Sequence, residues 1–319
     1  MTKQDSPSIL IILTASLGDV VRGFAVLAPI KSLFPNSHIT WLIEDKWKSI
    51  AENVQGIDEI LVFERKKGWQ GIKKIYQDLR KNHYDITLDM QRHFKSGCFS
   101  LLSGAKRRIG FHRANAHEFN FIFNNEFITK REENYPKIYQ YMNFVDVLGG
   151  TWEEPLNFGF DTKNVVRENK IGVVLGSSTI KKDWNIDHYK TFLSRVLSET
   201  DQLIVLLGDS SQIPFAEEML ILFGSERLSS LVGKTTLPQL VTVLASCRVA
   251  VGPDSGPGHI SAAVSTPYIA LFGPTNIRRV GPYKMGSLAL QAQSHIVSDI
   301  SEDEVFEKLI YVLSGNYSF

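Results

Sequence analysis

The chain of 319 residues is poor in several things, and each shortage closes off a class of function. Cysteine occurs only twice, at Cys98 and Cys247, each among apolar neighbours and far from a second cysteine or a histidine at metal-ligand spacing. That pattern speaks against a disulfide framework or a zinc site and for buried free thiols in a reducing compartment. An excess of one charge is missing too: 35 basic side chains stand against 34 acidic ones, a formal net charge of +1. No global field then draws the protein to nucleic acid. No apolar run approaches the ~20 residues of a membrane span, and the run from Ile9 to Leu13, behind the single Lys3, is too brief for a signal peptide. No Asp-x-Asp pair occurs, so a divalent cation on a nucleotide diphosphate would find no obvious ligands. The expectation is a soluble, cytoplasmic protein with no metal site and no nucleic-acid partner, in which any charged ligand is met locally.

What the chain does have is alternation. Short apolar runs, "SILIILT", "HITWLI", "DEILVF" and "YDITLD", are separated by amphipathic stretches over about 20–34 and 69–81. Apolar strands without period-two alternation suit a parallel sheet covered on both faces, so the class is α/β. The rhythm lapses in the polar stretch "WEEPLNFGFDTKNVVREN" and restarts with "KIGVVLG", "QLIVLLG", "CRVAVG" and "YIALFG", interleaved with helices over about 186–199, 212–223, 237–246 and 258–264. Because this length exceeds what one core usually supports, two domains are expected, 1–160 and 161–319, with a cleft between them. "SEDEVFEKLIYVL" opens with a capping box, Ser301 with Glu304, and reads as a final helix over about 301–314.

In open parallel sheets, ligands bind beyond the carboxyl ends of strands, where helix N-termini present N–H groups to anions. In "VGPDSGPGHISAAV", residues 251–264, a buried strand ends in a glycine-broken turn that suits a diphosphate, Gly256 and Gly258 allowing close approach; Asp254 or Ser255 could equally cap the helix. "LGSSTIKKDW", residues 175–184, puts Ser177, Ser178, Thr179 and Lys182 past another strand, where hydroxyls and an ammonium suit phosphate oxygens. Near the start, "LTASLGDVVRGF" places Asp19 where a helix begins, without the G-x-G-x-x-G that a dinucleotide-binding dehydrogenase would carry there. A carboxylate at that point could accept a proton from a hydroxyl, while a plain N-cap is the commoner role.

These stretches together, "SLGDVV", "LDMQRHFKSG", "KDW" and "DSGPGHISAAVSTPYIALFGPT", in that order, resemble glycosyltransferase family 9, the ADP-heptose:lipopolysaccharide heptosyltransferases. The resemblance implies a B-type glycosyltransferase fold, two Rossmann-like domains with parallel sheets facing across a cleft. The C-terminal domain would hold the nucleotide sugar and the N-terminal one the acceptor, with the final helix returning to the first domain. It also implies an inverting, metal-independent transfer of heptose from ADP-heptose to a lipopolysaccharide core, with no cofactor. On that resemblance Asp19 matches the general base; Ser178, Thr179 and Lys182, with Asp254, Ser255, Gly256 and His259, match the donor site; and Gly18, Lys95 and Arg113 fall where an anionic acceptor is faced. Ser255 stands where threonine is commoner, and "GPTNI" replaces the commoner Gly-Pro-Thr-Asp-Pro. Basic residues of the first domain, Lys66, Lys67, Lys73, Lys74, Arg107 and Arg108, are expected to meet anionic lipid peripherally at the cytoplasmic face of the inner membrane. A nucleotide-sugar epimerase of similar architecture and a non-catalytic nucleotide-sugar-binding protein are the alternatives.

Overall fold

The computed structural model describes residues 6–177 and 182–317, and the chain divides into two compact units, Met1–Asp161 and Thr162–Phe319. In chain order the first unit contains β1 (Ser8–Ile12), α1 (Leu17–Gly23), α2 (Leu27–Leu33), β2 (His38–Glu44), α3 (Lys48–Ala51), β3 (Glu59–Phe63), α4 (Gly68–Lys81), β4 (Ile86–Asp89), α5 (Phe94–Leu102), β5 (Arg107–Gly110), β6 (Glu126–Phe127) and α6 (Lys137–Leu148). Its six strands form one sheet in the order β3-β2-β1-β4-β5-β6, with every pairing parallel. Residues Ile9 to Ile12 of the central strand are inaccessible to solvent, as a strand covered on both faces requires. On one face Leu10, Ile12, Leu42, Phe63, Ile75, Leu79 and Phe99 share a core, and on the other Phe24 tilts against Trp41 at 5.1 Å.

The single helix expected over about 20–34 is two helices joined by a tighter turn, Phe24–Val26. Pro29 explains the break: it has no N–H for the carbonyl of Ala25, and its ring crowds that carbonyl.

The second unit runs β7 (Lys170–Val174), α7 (Ile186–Glu199), β8 (Leu203–Leu207), α8 (Ile213–Phe223), β9 (Leu228–Ser230), α9 (Leu237–Ser246), β10 (Val249–Pro253), α10 (Gly256–Ala263), β11 (Tyr268–Phe272), α11 (Ile277–Val280), β12 (Leu290–Gln291) and α12 (Glu302–Leu313). Its sheet has six parallel strands in the order β12-β11-β10-β7-β8-β9. The capping box of Ser301 and Glu304 opens α12, which packs on α7 and against β10 and β11. His188 meets Glu302 at 2.6 Å, and the Arg195 guanidinium lies 3.9 Å from the Phe306 ring centre.

Numbered within its own unit, each sheet has the strand order 3-2-1-4-5-6 of the doubly wound Rossmann arrangement. The direction of winding reverses between the first and fourth strands, and beyond the carboxyl ends of those two strands such sheets take their ligands. The pairs in question are β1 with β4 and β7 with β10.

Candidate active site

In the first unit, the register Ile12↔Asp89 brings the ends of β1 and β4 level. The β1–α1 turn is held from both sides: the Gln91 side-chain oxygen Oε1 accepts the Thr14 N–H at 2.8 Å, and the Trp47 indole N–H donates to the Ala15 backbone carbonyl at 2.9 Å. Ser16 caps α1 by accepting the Asp19 N–H at 3.3 Å, and its hydroxyl donates to Asp19 Oδ2 at 3.0 Å. Onto Asp19 Oδ1 converge Arg22 Nη2 at 2.7 Å, Lys137 Nζ at 2.9 Å and the Tyr141 hydroxyl at 3.3 Å. Arg22 comes from the next turn of α1, Lys137 and Tyr141 from one face of α6 at i, i+4 spacing. Burial by itself would raise the pKa of Asp19, but the charges of Arg22 and Lys137 outweigh it and hold the carboxyl far below the usual carboxylate range. Burial, with the Asp19 charge added, pushes the Tyr141 phenol well up, so it acts as a neutral donor.

In the second unit, the ends of β7 and β10 carry a matching pair. Lys182 Nζ lies 2.6 Å from Asp254 Oδ2, and the Thr275 hydroxyl, just past β11, donates to the same oxygen at 2.8 Å. Asp183 accepts the Ser177 N–H at 2.7 Å, which fixes the chain before Trp184, and the Trp184 indole donates to the Ile300 carbonyl. Ser255 occupies the N-cap position of α10, yet its hydroxyl donates backward to the Pro253 carbonyl at 3.1 Å and makes no capping bond. With the Asp254 carboxylate taken by Lys182 and Thr275 and no capping bond from Ser255, the N-terminus of α10 is of the kind that favours an anion. His259 is buried in that turn. Gly258 is a packing glycine: a Cβ there would meet Tyr268 Cε1 at 2.8 Å, so the space that the sequence suggested for a ligand is filled by a ring. Among the described residues no group of three or more His, Cys, Asp or Glu side chains is placed to hold a metal ion.

The model of glycosyltransferase family 9 (heptosyltransferase) matches residues 72–309. The chain belongs to that family. Among curated relatives, the lipopolysaccharide core heptosyltransferase OpsX of Haemophilus influenzae is 25% identical over 287 residues, covering 86% of this chain and 82% of the relative. Lipopolysaccharide heptosyltransferase 1 of Campylobacter coli is 24% identical over 345 residues, covering 97% of this chain and 99% of the relative. Among solved structures, E. coli heptosyltransferase WaaC with ADP superposes with a TM-score of 0.83 at 19% identity, covering 96% of this chain and 99% of that one. The chain is thus a glycosyltransferase, and its fold is the B-type fold that the sequence motifs implied.

Within this transferase the expected site residues separate clearly. Lys182, Asp254, Ser255, Gly256 and His259 lie in one neighbourhood of the second unit, on the loop after β7, the turn between β10 and α10, and the first turn of α10 itself. Ser178 and Thr179 lie outside the described residues. Gly18 is buried in the first turn of α1, beside Asp19. Lys95, in the first turn of α5, places its ammonium 4.4 Å from the ring centre of Phe63, and burial with the nearby Arg65 lowers its pKa. Arg113 is exposed in the loop after β5. Two neighbours of Asp19 have no sequence signal: Lys137 and Tyr141 meet it from more than a hundred residues away, on a helix preceded only by Pro136 as its N-cap residue. Thr275, by contrast, lies in the Phe-Gly-Pro-Thr motif and was open to detection. Asn276, which follows it, caps α11 by accepting the Arg278 N–H at 2.9 Å, a bond that an aspartate would also make.

Proposed function

We propose that the protein transfers heptose from ADP-heptose to a lipopolysaccharide core acceptor, with inversion at the anomeric carbon and without a metal ion. Residues 1–160 would bind the acceptor and 161–319 the nucleotide sugar. The observation that carries this reading is the Lys182–Asp254 pair beside an uncapped helix N-terminus at the switch point of the second sheet, in a chain matched by the heptosyltransferase family model.

On this reading, the diphosphate takes Lys182 and the N–H groups of α10, with Ser178 and Thr179 as hydroxyl donors and Ser255, Gly256 and His259 bracing the donor. As the sugar–phosphate bond breaks, negative charge grows on the diphosphate, and fixed donors of this kind stabilise it more in the transition state than in the ground state. Asp19, ionised at neutral pH, receives the acceptor proton as the hydroxyl oxygen attacks. Gly18, Lys95 and Arg113 face the anionic acceptor.

Peripheral contact with the inner membrane belongs to the same proposal, on fewer side chains than the sequence count suggested. Lys67 and Lys74 both pair with Glu64, Arg107 pairs with Glu126, and Arg108 donates to the carbonyls of Ala105 and Phe123. The exposed Lys66 and Lys73 carry the remaining attraction, each contributing on the order of 1 kcal/mol.

The test is nucleotide release from ADP-heptose with and without truncated lipopolysaccharide, with and without EDTA, for wild type and Asp19→Asn. Release that needs acceptor, survives EDTA and collapses in the variant is the expected result. Acceptor-independent turnover would point to an epimerase, and full activity of Asp19→Asn would remove Asp19 from the chemistry.

A further inference from the structure

The Asp19 carboxylate is held unevenly. Among the described residues, three donors, two of them cationic, meet Oδ1, whereas Oδ2 receives the neutral Ser16 hydroxyl alone. A carboxylate oxygen offers about two lone-pair sites, so Oδ1 is saturated and Oδ2 has one site open. Resting on the reading of Asp19 as the base, we propose that Lys137 and Tyr141 of α6 are positioning residues that fix Asp19 through Oδ1 and so leave Oδ2 as the oxygen that takes the acceptor proton. The step balances as follows: the acceptor O–H bond breaks and its proton passes to Oδ2, the acceptor oxygen bonds to the anomeric carbon, and the bond from that carbon to the diphosphate breaks with both electrons leaving on the diphosphate.

The geometry also determines how the carboxylate titrates. The groups that face it are Arg22 from α1 and Lys137 and Tyr141 from α6, with Arg92, after β4, acting on Tyr141. Two ammonium or guanidinium groups within hydrogen-bond distance keep Asp19 ionised at every working pH, which a base needs before it can accept anything. They also weaken it as a base, and the loss is made up by fixed geometry: a held acceptor oxygen and a held carboxylate need no reorganisation during the reaction. Lys137, a quarter exposed where Arg22 is almost fully buried, is the member of the set that can be changed with least damage to the fold.

The experiment follows the Asp19 carboxyl carbon by NMR across pH in the full-length protein without ligand, and kcat and the donor KM across pH with ADP-heptose and truncated lipopolysaccharide. The proteins are wild type, Lys137→Met, Lys137→Arg and Tyr141→Phe. In Lys137→Met the Asp19 midpoint is expected to rise by about 1–3 pH units, the span an adjacent opposite charge controls. The acid limb of kcat rises with it, kcat at neutral pH falls by about tenfold, or ~1.4 kcal/mol, and the donor KM stays within twofold. Lys137→Arg restores both. Tyr141→Phe lowers kcat while moving the midpoint far less, because it removes a donor and no charge; this variant and Lys137→Arg carry the test should Lys137→Met not fold. A wild-type Asp19 titration in Lys137→Met, or a change confined to the donor KM, overturns the inference. An active Asp19→Asn enzyme overturns the base itself, and the carboxyl titration still decides separately whether Lys137 governs it.

Discussion

Replacing Lys182 with methionine should destabilise the second unit by an amount that depends on Asp254. The two groups meet at 2.6 Å, with side-chain exposures of 25% and 7%. Removing one partner of a fully buried pair costs about 3–5 kcal/mol, because an uncompensated charge stays behind. Here the partly open lysine end admits water, and Thr275 still donates to the carboxylate, so we expect about 2–3 kcal/mol. Asp254→Asn should cost only about 1 kcal/mol, since the freed lysine can reach solvent and the amide oxygen keeps the Thr275 bond. In the double variant most of the lysine penalty disappears, giving a coupling of about 1–2 kcal/mol. Trp184 is buried next to the pair, and the other four tryptophans, Trp41, Trp47, Trp69 and Trp152, all lie in the first unit. Fluorotryptophan labelling with 19F NMR in urea therefore isolates unfolding of the second unit in the Trp184 resonance. Added ADP should protect wild type and Asp254→Asn against urea by linkage and fail to protect Lys182→Met. Penalties that add within about 0.5 kcal/mol would refute the coupling, and ADP protection of Lys182→Met would refute the assignment of Lys182 to phosphate.

Two further outcomes follow from side chains whose environments are equally well defined. Asp19 has its folded pKa held below the unfolded value, so it contributes stability that is present above the unfolded pKa of about 3.9 and is lost as pH falls through the folded one. Asp89 has the opposite sign: burial raises its pKa while Asn120, Asn124 and the Gln91 N–H partly offset that rise, so the first unit is penalised for its charge above pH ~4 and relieved below it. Urea titrations between pH 7 and pH 3, followed at the Trp41 resonance, should show a shallower acid loss in Asp19→Asn and a steeper one in Asp89→Asn; identical slopes would show that neither group titrates differently on folding. Gly258→Ala pushes a methyl to within 2.8 Å of Tyr268 Cε1 and should lower the stability of the second unit by about 1–3 kcal/mol, read as a fall in the Trp184 midpoint; an unchanged midpoint would mean that the ring moves aside freely.

How much of this was legible beforehand depended on whether a signal was local. The strands "SILII", "LIVLL" and "YIALF" are continuous apolar runs because both faces are covered, and that pattern reads directly as a parallel sheet. The capping box at Ser301 was readable for the same reason, since three residues suffice to define it. Helix α6 was not read at all: in "KIYQYMNFVDVL" the polar residues Lys137, Gln140, Asn143 and Asp146 recur every third residue among apolar ones, no capping serine or aspartate precedes it, and Gln140 and Asn143 are themselves buried. With it went Lys137 and Tyr141, whose role depends on an encounter across the fold that no spacing encodes. The stretch after β10 was read as a glycine-broken turn before a helix from about 258, but the helix already begins at Gly256, so both glycines lie in its first turn, and the side chain that claims the space at Gly258 is Tyr268, on the next strand.

The two charged clusters share a logic that also separates their roles. Each satisfies itself without ligand: Lys182 has a carboxylate, and the Asp19 carboxylate has two cations. An ammonium left bare at that depth would cost more than the pair does, so on the proposed reading Asp254 acts as a resident counter-ion that an incoming diphosphate replaces. One carboxylate against one ammonium can be exchanged, and exchange suits a site that must release a nucleotide diphosphate at every turnover. Asp19 offers no such exchange. With Arg22, Lys137 and Tyr141 all on Oδ1, displacing any one leaves the others in place, and the carboxylate keeps its orientation throughout a cycle. A group that must present the same oxygen to each new acceptor benefits from that redundancy, whereas a group that must bind and let go would be slowed by it. On the proposed reading, the single ion pair therefore belongs to donor binding and the triple clamp to proton transfer.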